Sequence, residues 1–262
     1  MENSPVTCED FSPSLLAEIR LIATDMDGTL TDQGQFTSSL IQTLETLATA
    51  GISTLIVTGR SAGWVQGIVA YLPIVGAIAE NGGVFIPKST LEPVWLVKIP
   101  EITDHRTRLA AMFTQIQATF PQLHPASDNR FRLTDWTCDL DGLSPADVQT
   151  LSHLCQAAGW GFTYSTVQCH IRLATQDKGT GLKTLLQQFF PQISPQQVVT
   201  VGDSPNDEGL FDPELFPISV GVANVQHYQD RLRYLPVWTT QAEEIHGFQE
   251  LVQAIFAARQ FG

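Results

Sequence analysis

The sequence predicts an α/β protein with a doubly wound parallel sheet that is interrupted by an inserted α+β segment. Short apolar runs alternate with helical patterns in the first third of the chain, and the same alternation returns after Lys178. Between these parts the candidate strands are amphipathic, which is typical of a sheet with one polar face. We therefore expect a core formed by residues 1–87 and 176–262, and we call residues 88–175 the insert.

In the first part of the chain, short apolar runs and helical periodicity follow one another closely. They predict strands at 21–24, 54–57 and 76–79, and helices at 38–50 and 61–72. Ser38 is the expected N-cap of the first helix, Gly51 follows its end, and Pro73 ends the second helix. The turn Asn81-Gly82-Gly83 before the apolar residues 84–86 predicts a hairpin.

The insert and the last part of the chain carry their own start and stop signals. Ser144, Pro145 and Gly159 mark the beginning and the end of one helix in the insert. The remaining pattern predicts insert strands at 94–99, 130–134, 162–165 and 168–173, insert helices at 103–120 and 144–158, core helices at 180–190, after 206 and at 242–259, and core strands at 198–201, 218–220 and 235–239.

Composition excludes several classes of partner. The formal net charge of −13 argues against nucleic acid or an anionic membrane as the main partner. The first residues have no basic segment followed by an apolar one, and no run reaches the length of a membrane span, so we expect a cytoplasmic protein. Four cysteines at unpaired spacings predict reduced thiols rather than a zinc site or a disulfide framework.

Two carboxylates, Asp25 and Asp27, follow the first predicted strand, where an open parallel sheet binds its ligands. Like charges this close are costly unless a cation joins them, and magnesium prefers such oxygen ligands. One carboxylate could then attack phosphorus while the other moves a proton. Gly28 would let the chain turn back sharply. The alternative is an ordinary Asp-rich surface turn.

Two further carboxylates, Asp203 and Asp207, follow the predicted strand at 198–201. They are four positions apart, so a helix that begins between them would bring both towards one site. Such a group again favours a cation. The alternative is a helix cap, in which Asp203 or Ser204 accepts hydrogen bonds from free amides.

Two other segments suit an anionic ligand. Thr58-Gly59-Arg60 follows a strand, so its hydroxyl and amides could hold phosphate oxygens, although an ordinary strand-to-helix turn would look the same. Lys178 begins a helix, where the helix dipole disfavours a cation unless an anion lies nearby. A solvated lysine is the alternative.

These segments together resemble the haloacid dehalogenase superfamily of phosphatases. The matching motifs are Asp25-Met26-Asp27-Gly28-Thr29-Leu30, Val57-Thr58-Gly59-Arg60, Asp177-Lys178-Gly179 and Gly202-Asp203-Ser204-Pro205-Asn206-Asp207. They occur in the family's order and span almost the whole core. The resemblance implies a Rossmann-like core. A large insert between Thr58 and Lys178, with the Glu80-Asn81-Gly82-Gly83 turn, is similar to the type IIB cap of the Cof-like and sugar-phosphate phosphatase group.

The resemblance also implies roles for individual residues. Asp25 would be the nucleophile that forms an aspartyl-phosphate, Asp27 the general acid and base, Thr58 a phosphoryl-binding residue and Lys178 the neutralising cation. The implied Mg²⁺ ligands are Asp25, Asp203, Asp207 and the backbone carbonyl of Asp27.

The residues assigned to substrate binding fall into two groups. Those in the core are Gly59, Arg60, Asn81, Gly82 and Asn206. Those on predicted strands of the insert are Arg130, Arg132 and Arg172, with His170 as a further basic candidate. Cations that face solvent on the outer side of the insert are the alternative for the second group.

The resemblance implies a magnesium-dependent phosphatase that hydrolyses a small phosphomonoester, such as a sugar phosphate or sugar derivative. Two other functions stay open. A phosphosugar mutase would share the same motifs and cap, and phosphate release without a bisphosphate activator would distinguish the two. A non-catalytic relic would have lost its nucleophile, acid or lysine, whereas Asp25, Asp27 and Lys178 are all present.

Overall fold

The computed structural model describes residues 13–140, 142–165 and 168–261. It contains an eight-stranded sheet in the order β11-β10-β9-β1-β2-β3-β4-β5 and a three-stranded sheet in the order β6-β8-β7. The strands are β1 (Leu21–Thr24), β2 (Ser53–Val57), β3 (Gly76–Ala79), β4 (Val84–Pro87), β5 (Val94–Trp95), β6 (Trp136–Asp139), β7 (Trp160–Tyr164), β8 (Gln168–Leu173), β9 (Val198–Gly202), β10 (Ser219–Gly221) and β11 (Trp238–Thr239).

The described residues form seven α-helices, and all of them except the two in the insert pack against the faces of the large sheet. They are α1 (Pro13–Ala17), α2 (Ser38–Thr49), α3 (Ala62–Tyr71), α4 (Ile102–Thr119), α5 (Pro145–Ala157), α6 (Lys178–Phe189) and α7 (Glu244–Phe261). Ile22 and Ile56 pack with α2, α3 and α7 on one face, while Leu21 and Leu55 pack with α6 on the other. This alternation explains why β1 reads as an unbroken apolar run: both faces are buried. The predicted doubly wound α/β core is confirmed.

The strand register places the candidate motifs at one edge of the sheet. β1 is parallel to both of its neighbours, and Thr24 is paired with Ile56 of β2 and Val201 of β9. The chain leaves these three strands at the same level. The loops that begin at Asp25 and Thr58 and after Gly202 therefore meet at the carboxyl edge of the sheet.

The three-stranded sheet has a core of its own. Its apolar face packs against α4 and α5 around side chains such as Leu109, Phe113 and Leu151. In β8, Cys169 and Ile171 belong to this core. Because side chains alternate along a strand, Gln168, His170 and Arg172 lie on the opposite face.

Several local predictions differ from the structure. The segment 130–134 is not a strand: a 3-10 helix spans Ser127–Phe131, and β6 begins later, at Trp136. β5 pairs with β4 in the large sheet, although the sequence placed this strand with the insert. The N-cap of α2 is Thr37 rather than Ser38, since the Thr37 hydroxyl accepts from the Leu40 amide.

No helix among the described residues is long and apolar enough to cross a membrane.

Candidate active site

Lys178 is buried between two carboxylates at the carboxyl edge of the large sheet. It is the first residue of α6, and its Nζ donates to Asp25 Oδ1 at 2.5 Å and to Asp207 Oδ1 at 2.6 Å. Burial lowers the pKa of the lysine, but the two carboxylates outweigh it and hold the pKa above its ordinary value. The lysine is therefore a fixed positive charge beside Asp25.

Three carboxylates lie close together next to Lys178. Ligand oxygens of Asp25, Asp203 and Asp207 all lie within 4.8 Å of one another, and all three residues are buried. Burial raises the pKa of the Asp25 carboxyl to about 7 and that of Asp203 well above its usual range. A single lysine leaves this group with excess negative charge, which a divalent cation with oxygen ligands would offset.

The two oxygens of Asp207 are already engaged. Oδ1 accepts from Lys178, and Oδ2 accepts from the backbone amides of Asp203 and Ser204, each at 3.0 Å. Asp207 thus fixes the lysine and the loop, and contributes charge to the cation site. Asp25 and Asp203 have fewer partners and are the better direct ligands for a metal.

The Asp203 carboxylate is held from two sides. Thr29 Oγ1 donates to its Oδ1 at 3.1 Å, and Asn224 Nδ2 donates to its Oδ2 at 3.1 Å. Gly28 has a φ of +83°, and a Cβ there would come within 2.6 Å of Asp203 Oδ2. Only glycine allows the Asp25 loop to turn back this close to Asp203.

Asp27 points to a different partner. Arg60 donates from Nε to Asp27 Oδ2 at 2.9 Å and from Nη2 to Asp27 Oδ1 at 2.6 Å. Both side chains are partly exposed, at 31% for Arg60 and 21% for Asp27. Arg60 thus contacts a candidate catalytic residue, and the Asp27 side chain is outside the cluster of three buried aspartates.

A small cavity of about 20 Å³ lies over Asp25. It is lined by Asp25, Asp27, Thr58, Gly59, Arg60, Ser165, Gln168, His170 and Asn206. This volume holds about one water molecule. The insert side chains Gln168 and His170 therefore lie close against the loops that carry Asp25, Asp27 and Thr58.

Asn206 and Asn81 meet beside this cavity. Asn206 Nδ2 donates to Asn81 Oδ1 at 3.0 Å. The side-chain nitrogen Nδ2 of Asn81 is buried and has no partner among the described residues. It could therefore donate a hydrogen bond to a ligand oxygen. Gly82 has another function: a Cβ there would lie 2.0 Å from the Asp177 carbonyl. It lets the hairpin pack against the start of α6 and thereby supports Lys178.

The structure separates the basic residues of the insert. His170 lines the small cavity, and Arg132 lies behind it with Nη1 donating to the Gly59 carbonyl at 2.9 Å. Arg130 is exposed and lies over the Phe131 ring instead. Arg172 donates to the backbone carbonyls of Leu173 and Gln176. None of Arg130, Arg132 and Arg172 lines the small cavity, so the structure does not support the prediction that these three arginines contact substrate.

A wide cleft of about 660 Å³ lies between the insert and the core next to the small cavity. Ser165 lines both spaces. The cleft wall combines aromatic side chains with hydrogen-bonding groups; it includes Phe162, Tyr164 and Gln149 from the insert, and Tyr228, Glu208 and Arg231 from the core. A ligand that lies over Asp25 could extend past Ser165 into this cleft.

Sequence reasoning missed several residues of the site, including Asn224, Gln168 and Asp135. Asn224 holds Asp203, Gln168 lines the small cavity and Asp135 pairs with His170. None of them lies in a motif. Only the alternation along β8, which places Gln168 on the same face as His170, could have indicated one of them.

The chain is similar to known proteins along most of its length. A family model described as haloacid dehalogenase-like hydrolase matches residues 22–100. A phosphoglycolate phosphatase of Methanothrix thermoacetophila is 26% identical over 214 residues, which cover 79% of this chain and 85% of the relative.

Two solved structures show the same fold. The Thermoplasma acidophilum 0175 protein superposes with a TM-score of 0.72 at 19% identity, covering 91% of this chain and 98% of that one. A sucrose-phosphatase from Synechocystis, solved with sucrose and phosphate, has a TM-score of 0.64 at 19% identity, covering 90% and 97%. Residues 22–100 therefore match haloacid dehalogenase-like hydrolases, most of the chain is similar to a protein named phosphoglycolate phosphatase, and the chain shares the fold of the two solved structures.

Proposed function

We propose that the protein is a magnesium-dependent phosphatase that hydrolyses a small phosphomonoester through an aspartyl-phosphate. The observation that carries this proposal is the buried group of Asp25, Asp203 and Asp207 around Lys178. Such a concentration of carboxylates is costly in a protein interior unless a cation and an anionic substrate complete it. Phosphoryl transfer requires this kind of positioning and charge neutralisation.

In this mechanism an oxygen of Asp25 attacks phosphorus as the bond between phosphorus and the ester oxygen breaks. Lys178 neutralises the nucleophile and the transferring phosphoryl group, while Thr58 and the neighbouring amides hold phosphoryl oxygens. Asp27 must release its two hydrogen bonds from Arg60 for the acid step, in which it donates a proton to the leaving oxygen; it then takes a proton from the water that releases phosphate from Asp25.

Magnesium, when bound, supplies positive charge next to the phosphoryl oxygens. Asp25, Asp203 and the backbone carbonyl of Asp27 would hold it, with Asp207 contributing charge. The donor set fits this ion, because all of these ligands are oxygens.

We propose a phosphorylated sugar or sugar derivative as the substrate. The cleft of about 660 Å³ far exceeds the volume of a two-carbon acid, and its aromatic walls suit the apolar face of a sugar ring. Phosphoglycolate is the competing substrate, since relatives about 26% identical to the chain carry that name. In either case residues 88–175 act as a cap that opens to admit the ester. The cytoplasmic location stays a prediction.

The test is phosphate release from a panel of phosphorylated sugars, polyols, glycerates, nucleotides and phosphoglycolate, with magnesium and with excess chelator. No bisphosphate activator is added, so release also separates a phosphatase from a mutase. Tyr164→Ala should lower kcat/KM for the best sugar phosphate more than kcat/KM for phosphoglycolate, because Tyr164 lines the cleft. Tyr71→Ala, at a residue that is 90% exposed, is the matched control. Full activity in chelator would exclude the mechanism, and phosphoglycolate as the best substrate would exclude the sugar assignment.

A further inference from the structure

His170 is placed directly against the catalytic loops. It lies in the middle strand of the three-stranded sheet, is 2% exposed, and lines the small cavity with Asp25 and Asp27. A Cβ added to Gly59 would lie 3.1 Å from His170 Cε1 and 3.2 Å from Nε2. The Nε2 edge of the ring is therefore the edge that faces the site, and Gly59 leaves the space for it.

A chain of buried charges fixes the orientation of this ring. His170 Nδ1 lies 2.8 Å from Asp135 Oδ2. Asp135 in turn accepts from Arg132 Nη1 at 2.9 and 3.1 Å, and neither of these side chains is exposed. A carboxylate can only accept, so Nδ1 carries the proton. Burial lowers the pKa of His170, which favours the neutral ring, and Nε2 is then an acceptor.

Gln168 offers a hydrogen-bond donor on the same side of the sheet as His170. Gln168 lies two positions before His170 on the same face of β8 and lines the same cavity. Arg132 Nη2 donates to Gln168 Oε1 at 3.1 Å. Because arginine has no acceptor, this bond assigns the oxygen, and the amide nitrogen is the atom left to donate to a ligand.

We propose that His170 and Gln168 recognise a hydroxyl group beside the phosphoester of the substrate, with Asp135 and Arg132 as positioning residues. The hydroxyl donates to His170 Nε2 and accepts from the Gln168 amide nitrogen. A carboxylate in this place would accept from Gln168 but would meet a second acceptor in Nε2. The pair thus favours a hydroxyl-bearing ester over one with a carboxylate. This inference rests on the proposed phosphatase function and names the chemistry that selects its substrate.

Three two-carbon esters test the inference on the unaltered protein. Ethyl phosphate, 2-hydroxyethyl phosphate and phosphoglycolate differ only in the group next to the ester-bearing carbon, so their kcat/KM values compare no group, a hydroxyl and a carboxylate. We expect the hydroxyl ester to be preferred over both others by about tenfold. If all three are hydrolysed at equal efficiency, or phosphoglycolate is preferred, the inference is wrong. If none of them, nor any ester of the wider panel described above, is hydrolysed with magnesium, the proposed function itself fails.

Variants of His170 test whether this residue causes the preference for the hydroxyl ester. His170→Leu should lower the ratio of kcat/KM for 2-hydroxyethyl phosphate to that for ethyl phosphate about tenfold, and His170→Gln should restore part of it by offering an amide group near the position of Nε2. His124→Leu makes the same change at an exposed position of the insert and is the control.

Asp135→Asn tests the positioning role. It should lower the same ratio, because KM should rise more for the hydroxyl ester than for ethyl phosphate. Circular dichroism and thermal unfolding check that each variant is folded. An unchanged ratio in folded His170→Leu and His170→Gln proteins would overturn the inference.

Discussion

Arg60 holds Asp27 through two hydrogen bonds, so the two oxygens of the proposed general acid both face a guanidinium. Paired geometry of this kind is the strongest that arginine offers to a carboxylate. It fixes Asp27 at the open side of the site, where its side chain keeps 21% of its exposure. The Asp27 carboxyl is thereby separated from the buried carboxylates that surround Lys178.

Asp27→Asn should leave metal binding nearly intact, because the proposed metal ligand at this position is the backbone carbonyl. We expect phosphate release to fall by about 10² to 10⁴, the usual contribution of a general acid and base. Isothermal titration with magnesium and steady-state kinetics check the two halves of this prediction. A variant that no longer binds magnesium would contradict the division of roles.

Asp25→Asn should fold normally and lose nearly all phosphate release. The amide keeps the shape of the side chain but cannot form an aspartyl-phosphate. The measurement is phosphate release with the best substrate, together with a circular dichroism spectrum. Turnover near the rate of the unaltered protein would show that Asp25 is not the nucleophile.

The stability of the metal-free protein should depend on pH through Asp25. Burial raises the pKa of this carboxyl in the folded state from 3.8 to about 7. The folded state therefore binds the proton more tightly than the unfolded state, and stability falls as the pH rises from about 4 through about 7. In chelator, Asp25→Asn should raise the melting temperature at pH 8 and have a smaller effect at pH 5. Equal shifts of the melting temperature at pH 5 and pH 8 would show that Asp25 is not the source of the pH dependence.

Magnesium should support activity and calcium should inhibit it. Calcium takes more oxygen ligands at longer distances, so it would engage both oxygens of Asp25 and leave none to attack phosphorus. Phosphate release in magnesium, with calcium added in steps, measures the effect. Activity that is equal in the two ions would argue against a nucleophilic carboxylate at the metal.

The arginines of the insert should differ in their effect on stability. Arg132 is buried against Asp128 and Asp135, so Arg132→Met leaves a buried carboxylate without its cation and should cost about 3–5 kcal/mol of unfolding free energy. Arg130→Ala, at an exposed position, should change it by less than about 0.5 kcal/mol. Urea unfolding compares the two. Similar losses of unfolding free energy in the two variants would show that the burial of Arg132 does not make it more important for stability than Arg130.

Local signals in the sequence predicted most of the elements. The Ser144–Pro145 signal predicted α5, and the structure shows a full capping box there with Asp147. The apolar runs at β1 and β9 predicted the buried centre of the sheet. These features depend on residues that are close in the chain or on burial on both faces, and both leave a pattern in the sequence.

Specific polar side-chain pairs account for what the sequence did not predict. Phe131 and Leu133 alternate with polar residues as in a strand, yet Asn129 bonds to the Ala126 and Thr137 carbonyls and holds this segment as a turn. Arg132 was expected to face substrate, but Asp128 and Asp135 engage it. His170 meets Asp135 across 35 positions. Apolar periodicity does not specify such polar partners, even where they are close in the chain, because the pairing depends on how the insert folds.

The pairing of β5 with β4 sets a limit on any shortened form of this protein. Val94 and Trp95 form the last strand of the large sheet, and the next residue, Leu96, donates from its amide to the Gly83 carbonyl at 3.0 Å. Excising residues 88–175 would remove this cover and leave the outer side of β4 as a bare strand, open to pairing with a second molecule. A minimal core that stays monodisperse at assay concentrations must therefore retain the chain through Leu96, although the sequence assigns that stretch to the insert.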